Sequence, residues 1–304
     1  MKTIGLAGAV AVTLGAMILA HPAPAGATDT PKPKPGIEWS NDWPRFRWWE
    51  YGGSAVLGAT ALYLREYSSL PPRRWQGSNP FDDTIRDWLR ADTKEGRALA
   101  GRVSDVGQWY SQLIPFALDL PVVFYESRSR DMTWQVLMMD IEASAVAGFI
   151  NNGLFYFVGR GRPNYAQCSV DPSYDPLCGG SGNNASFPSG HTLGAATAAG
   201  LVCVHHRYLR LYGSPAADGA VCGAMLLFTA ATAVSRVMAD RHYASDDLAG
   251  AGIGFAVGYG LPWLLHYRYG GRLGPNADGN DSRPITFVPL TGRATLGVSM
   301  IGAL

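Results

Sequence analysis

An all-α fold, a helical bundle of about six core helices followed by a short C-terminal β-hairpin, is what this 304-residue sequence predicts, on three observations. Apolar segments recur at about 52–64, 106–125, 133–158, 191–204, 219–234 and 248–266, and their length and Ala/Leu content favour helices over strands. The stretches between them are polar and carry Gly, Pro and Arg, which end helices and open turns. Gly and Ala recur inside the apolar runs, as they do where helices pack closely in a membrane or a tight core. No internal repeat is visible, so one large domain is the starting expectation.

Lys+Arg 25 against Asp+Glu 24 leaves a net charge of +1 and no like-charge block, which excludes a polynucleotide-binding role. Only 16% of residues are charged and 47% are hydrophobic, a balance compatible with lipid contact.

Taken in order, residues 1–27 read as an export signal: Lys2, an apolar run from Thr3 to Ala20, then small residues around Ala23-Pro24-Ala25 and Ala25-Gly26-Ala27. The run is nearly long enough to span a bilayer, so an uncleaved anchor is the other reading. Residues 28–50 are a Pro-rich linker ending in the aromatics Trp43 to Trp49, residues suited to a membrane interface. The helical domain occupies 51–273, and its stretch 65–105 predicts amphipathic surface helices over the bundle. Residues 274–304 form a tail in which Ile285 to Leu304, β-branched and partly alternating around Thr291-Gly292, predict the hairpin.

The segment 52–64 is short for a crossing, whereas 106–125 and 248–266 approach the roughly twenty residues a bilayer requires. Arg128 and Arg130, Arg207 and Arg210, and Arg268 and Arg272 follow alternate segments, which places those connections in the cytoplasm and the loops 159–190 and 235–247 in the periplasm. Asp119, Asp140 and Glu142 within the segments, with a mean hydropathy near zero, keep a soluble periplasmic domain as the alternative. Of the four cysteines, Cys168 and Cys178 share a polar loop and predict a disulfide, while Cys203 and Cys222 lie in apolar runs and read as plain core residues.

Polar chemistry concentrates in three clusters, VGRGRP at 158–163, FPSGH at 187–191 and SRVMADRHYASD at 235–246, all at the same end of the predicted bundle. Ser189 and Gly190 precede a helix start, where backbone N–H groups and a hydroxyl form an anion cradle, and His191 can donate a proton to a leaving oxygen. Read alone, FPSGH is equally an ordinary helix cap. His242 and Asp246 stand four apart, so on a helix the carboxylate orients one imidazole nitrogen and leaves the other to attack phosphorus. Arg236 offers a planar fork for phosphate oxygens, and Arg160 and Arg162 lie just past an apolar helix, with Arg162 turned inward in the functional reading.

Together the clusters resemble the signature of the type 2 phosphatidic acid phosphatase superfamily: Lys-x6-Arg-Pro, Pro-Ser-Gly-His, then Ser-Arg-x5-His-x3-Asp. Here these are Arg162-Pro163, Pro188-Ser189-Gly190-His191, and Ser235-Arg236 with His242 and Asp246, within about residues 130–266. The first-motif Lys falls on Phe155, and with no lysine after Lys94, Arg160 is the candidate replacement cation. The resemblance implies a metal-independent phosphatase without cofactor. His242 attacks phosphorus with Asp246 orienting it, His191 acts as acid and then base, and Arg162, Ser189, Gly190 and Arg236 hold the phosphoryl oxygens. No His/Cys/Asp cluster with metal-ligand spacing is visible, so no metal is expected. A phosphorylated lipid, a phosphate monoester or a polyprenyl pyrophosphate at the periplasmic face of the inner membrane is the main expectation. A soluble periplasmic non-specific acid phosphatase acting on small esters is the alternative, and a non-catalytic phospholipid-binding protein a third reading prompted by Phe155.

Overall fold

The computed structural model describes residues 37–67, 74–75, 77–175, 177–178 and 184–269, together with the backbone of 286–292 and 295–301. The signal or anchor expected at 1–27 lies outside the described residues.

Six long helical runs cross the body in alternating directions. They are α1 (Trp48–Tyr67), α3 (Lys94–Ile114) continuing through a π-turn at Pro115–Asp119 into α4 (Leu120–Ser127), α5 (Arg130–Val158), α7 (Gly190–Leu209), α8 (Pro215–Met238) and α9 (Ala244–Leu265). Two short helices, α2 (Pro80–Leu89) and α6 (Tyr165–Val170), lie in the connections at one end. Each run exceeds the apolar segment that predicted it, because hydropathy registers only the middle of a helix whose first turns are polar and capped. Asn79, Thr93, Ser129 and Ser214 cap α2, α3, α5 and α8 with side-chain oxygens accepting from backbone N–H groups. Pro80 and Pro215 occupy first helical positions, where a missing N–H costs nothing. Gly159 ends α5 at φ +57.

The expected short segment 52–64 is thus a 20-residue helix, packed along α5 with Gly58 against Ala145 and Ala61 against Gly148. α5, α8 and α9 are long and apolar enough to cross a membrane. Large apolar side chains also face outward, among them Trp48 at 84%, Leu227 at 70% and Leu248 at 63% exposure.

Contact between α7 and α9 sets the geometry of the body. Gly250, Gly254 and Gly258 recur every four residues on α9 and present bare backbone to α7. A Cβ on Gly250 would stand 2.6 Å from the Ser189 carbonyl oxygen, one on Gly254 2.2 Å from that of Leu193, and one on Gly258 2.0 Å from that of Thr197. Gly200 meets Tyr259 from the other side, its Cβ position 2.5 Å from a backbone nitrogen. On its opposite side α7 packs on α8 through Ala198, Ala199 and Val202 against Met225.

That second contact corrects the reading of Cys203 and Cys222 as plain core residues. They form a disulfide between α7 and α8 across a Cα separation of 4.6 Å, which the small side chains around them permit. The Cys168–Cys178 disulfide is present as expected.

The stretch read as linker is partly packed structure. Trp43 and Phe46 are buried with Val123, Met132, Val136, Met139, Val204 and Tyr267 at the end of the bundle opposite α2, whereas Trp48 and Trp49 are exposed. Arg128, Arg210 and Arg268, just past helix ends, and Arg130 and Arg207, in terminal turns, lie at this same end, hereafter the arginine end. The C-terminal hairpin is not supported as part of the architecture: Thr286–Gly292 and Thr295–Ile301 pair only with each other, and the described body is helical.

Gly254→Ala is expected to lower stability by about 1–3 kcal/mol, the cost of an overpacked core, seen as a clear drop in melting temperature, because its methyl meets a carbonyl oxygen. Gly252→Ala, with nothing within 4 Å, is the matched control and is expected to melt with the wild type.

Candidate active site

The site end gathers the C-terminus of α5, the start of α7, the turn between α8 and α9, α2 and the first half of α3. α8 stops at Met238, and the chain turns through Asp240, a fully buried residue at φ +58, before α9 opens at Ala244. That turn is held from outside: Arg86 of α2 donates to both Asp240 carboxylate oxygens at 2.6 and 2.9 Å, and Tyr174 adds its hydroxyl at 3.0 Å.

His242 lies in this turn, 1% exposed, with Nδ1 2.7 Å from the Ser186 carbonyl oxygen. A carbonyl only accepts, so Nδ1 carries the hydrogen and Nε2 keeps its lone pair. Asp246 does not orient His242 directly, contrary to the four-residue spacing, and stands 4.0 Å from Nδ1. The reason is local: residues 239–243 are not helical, so the two side chains do not share a helical face.

Asp246 instead positions the loop that holds the imidazole. Its Oδ2 accepts from the Ser186 hydroxyl at 2.6 Å and from the Tyr243 N–H at 2.9 Å, the latter closing the first turn of α9. Its Oδ1 accepts from Arg160 at 2.6 Å. Ser186 N–H donates to the Arg160 carbonyl at 3.0 Å, and Ser189 N–H to the Asp246 carbonyl at 3.0 Å.

Arg160 is therefore not a phosphate ligand or a stand-in for the lysine missing at Phe155. It is fully buried, with Nη1 on Ser245 and Asp246 at 2.8 and 2.6 Å and Nη2 on Asp82 at 2.7 Å. The rings of Trp75 and Tyr243 flank its guanidinium at 4.0 and 4.2 Å. Asp82 and Trp75 belong to the stretch expected to be mere surface cover.

Ser189 also differs from expectation. Its N–H serves Asp246, and its hydroxyl donates to Thr192 at 3.1 Å, which donates in turn to Asp247 at 2.5 Å. An anion at the start of α7 would therefore meet the following amides, those of Gly190 and His191, which as first-turn amides have no intrahelical acceptor. Gly190 is closely approached: the Asn151 carboxamide lies 3.1 Å from where a Cβ would be.

His191 is 2.7 Å through Nε2 from Asp105 of α3, a partner 86 residues away that no sequence spacing reveals. Arg236 reaches Ser104 at 3.2 Å and the same Asp105 at 3.3 Å. Arg162 completes the group. Burial, then the neighbouring guanidiniums of Arg236 and Arg241, lowers its pKa to about 9, while Arg241 is paired with the buried Asp175 at 2.8 Å. Burial, with Arg236 and Arg162 nearby, holds His242 well below the usual imidazole value. Burial likewise lowers His191 to about 4 against the pull of Asp105. Both imidazoles are neutral at pH 7, beside guanidiniums that favour an anion. A cavity of about 430 Å³ opens from Gly190 along α7 to Leu201, lined by Gln108, Gln112 and Asn151, with Arg65 of α1 the cation among its lining residues.

Ser186→Ala is expected to lower kcat on the order of tenfold with KM little changed, the effect of one lost buried hydrogen bond that aligns His242. Because the folded-state pKa of His191 lies below its ordinary 6.5, the unfolded chain binds more protons between those values. The His191 contribution to stability is therefore full above pH 6.5 and is lost as the pH drops toward about 4. Melting curves of wild type and His191→Gln are expected to differ by this contribution, the wild type losing stability relative to the variant as the pH falls through that window.

Residues 139–269 match the family model of the PAP2 superfamily. Lipid A 1-phosphatase of Porphyromonas gingivalis is 33% identical over 157 residues, 51% of this chain and 29% of that protein, so the chain spans less than a third of that relative's length. A solved transmembrane PAP2-type phosphatidylglycerolphosphate phosphatase from Bacillus subtilis aligns over 71% of this chain and 93% of its own, at 17% identity and a TM-score of 0.45. The match to the PAP2 superfamily thus falls on residues 139–269, the stretch that contains Arg162, His191, Arg236 and His242.

Proposed function

We propose that this protein is a metal-independent phosphatase of phosphorylated lipids that works through a phosphohistidine intermediate. The observation that carries the reading is the buried His242, hydrogen-bonded at Nδ1 so that Nε2 keeps a lone pair, within electrostatic reach of Arg162, Arg236 and His191.

In the reaction, Nε2 of His242 forms a bond to phosphorus as the ester P–O bond breaks, and His191 gives a proton to the leaving oxygen. His191 then takes a proton from water, whose oxygen attacks phosphorus and releases phosphate as the P–N bond breaks. The arriving phosphate, with up to two negative charges, offsets Arg162 and Arg236 and raises the proton affinity of His191, which makes it an acid when substrate is bound. Arg162, Arg236 and the amides of Gly190 and His191 hold the phosphoryl oxygens, and Asp105 positions His191.

Membrane residence is supported by three sufficiently long apolar helices and by outward-facing residues such as Leu227 and Leu248, which a soluble domain would leave in water. Arginines concentrated opposite the site favour a site facing the periplasm, and the Cys168–Cys178 disulfide in the loop beside it fits an oxidising compartment. The cavity that starts at Gly190 accommodates the part of the lipid next to the phosphate.

The test is phosphate release from phosphatidic acid, a polyprenyl pyrophosphate and an aryl phosphate, with EDTA present, for wild type and His242→Ala. Lipid-selective, EDTA-resistant release that falls on the order of a thousandfold or more in the variant is expected. Retained activity in His242→Ala would remove the nucleophile assignment, and preference for the aryl ester would favour a soluble enzyme. Rapid acid-free quenching with labelled substrate is expected to trap a base-stable phosphoprotein in wild type and none in the variant.

A further inference from the structure

We propose a second site, at the arginine end of the bundle: a divalent cation held by the carboxylates of Glu50 and Glu142 and by Nε2 of His266. Glu50 lies in the first turn of α1, Glu142 within α5 and His266 just beyond α9, and their exposures are 1%, 6% and 0%. One ligand atom of each lies within 4.8 Å of the other two. Nothing in the phosphatase chemistry uses them, since the 22 residues of α9, about 33 Å of helix, separate His266 from the His242 turn.

His266 gives the independent observation. Its Nδ1 is 2.8 Å from the Pro44 carbonyl oxygen, so the hydrogen is on Nδ1 and Nε2 presents a lone pair. That Nε2 is buried without a hydrogen-bond partner and faces Glu50 Oε1 at 3.6 Å. Two acceptors face each other at a distance too long for a hydrogen bond. Two ligands on one tetrahedral zinc, at bonds of about 2.0–2.1 Å, stand about 3.4 Å apart, close to the observed spacing.

Charge points the same way. Arg47 occupies one side of Glu50, its Nη2 2.7 Å from Oε1 and its Nε 3.0 Å from Oε2, and it also reaches the Leu265 carbonyl at 3.3 Å. With Glu142 this leaves two carboxylates against one guanidinium, an excess negative charge in a buried place. A donor set of one imidazole and two carboxylates suits zinc or manganese rather than calcium or magnesium, which favour oxygen alone. The ion would join the segment 44–50, the middle of α5 and the end of α9, so its effect is on stability. Positions 50, 142 and 266 are too dispersed for any motif to show it.

Full-length protein in detergent, stripped with EDTA, dialysed against micromolar ZnCl2 and freed of excess, is expected to retain one zinc per chain and to melt higher than the stripped sample. Glu142→Gln and His266→Asn are each expected to reduce bound zinc at least tenfold and to abolish the melting shift. No zinc retained by wild type, or equal zinc in both variants, overturns the proposal and leaves a proton on Glu142 as the neutralising charge. Cobalt-loaded wild type gives a check independent of folding in the variants: d–d bands of a protein-bound four-coordinate ion are expected, and the spectrum of aqueous cobalt alone overturns the site.

Discussion

Burying Arg160 beside Asp82 and Asp246 removes three charges from water, and the desolvation cost of several kcal/mol per ion is offset only when nearly every lone pair and N–H finds a partner. The structure meets that demand by recruiting its neighbourhood. Ser186, Ser245, the Tyr243 N–H and the rings of Trp75 and Tyr243 all converge on the triad, and the chain segments bearing them are thereby fixed in place. His242 and the start of α7 take their positions from these segments. The network is thus a frame for chemistry in which it takes no direct part.

Much of this was legible in the sequence, and the failures share a cause. The six helical runs, the gathering of the three polar clusters at one end and the Cys168–Cys178 pair follow from patterns within short windows. Roles were misread wherever they depend on a partner far along the chain. Arg160 and Arg162 look interchangeable in GRGRP, and only the carboxylate of Asp82, 78 residues earlier, makes one of them part of the frame. Asp105 lies at the edge of an apolar run with no feature that ties it to His191. His242 and Asp246 fit a helical spacing, but the turn at Asp240 breaks the helix between α8 and α9. Cys203 and Cys222 read as core because hydropathy cannot distinguish a thiol packed on a helix from one packed on another thiol.

The proposed mechanism sets two requirements that oppose each other. A nucleophilic imidazole must be neutral, which burial and adjacent guanidiniums favour, whereas a proton donor to the leaving group must be charged. His191 is partly exposed and stands on Asp105, while His242 is sealed and bonded to a carbonyl, so under that mechanism the two histidines meet the substrate in different surroundings. Their difference arises from position, since they are identical in chemistry.

The glycine row of α9 divides the surface of α7 into two regimes. On the side that meets Gly250, Gly254 and Gly258, no side chain of any size fits, so that seam admits almost no sequence variation. The other side borders the cavity, where the side chains of Gln108, Gln112 and Asn151 form part of the lining. Substitutions on the α3 and α5 side of α7 can therefore reshape the cavity without moving the helix that carries His191. A single rigid helix in this way separates what selection must hold constant from what it is free to alter.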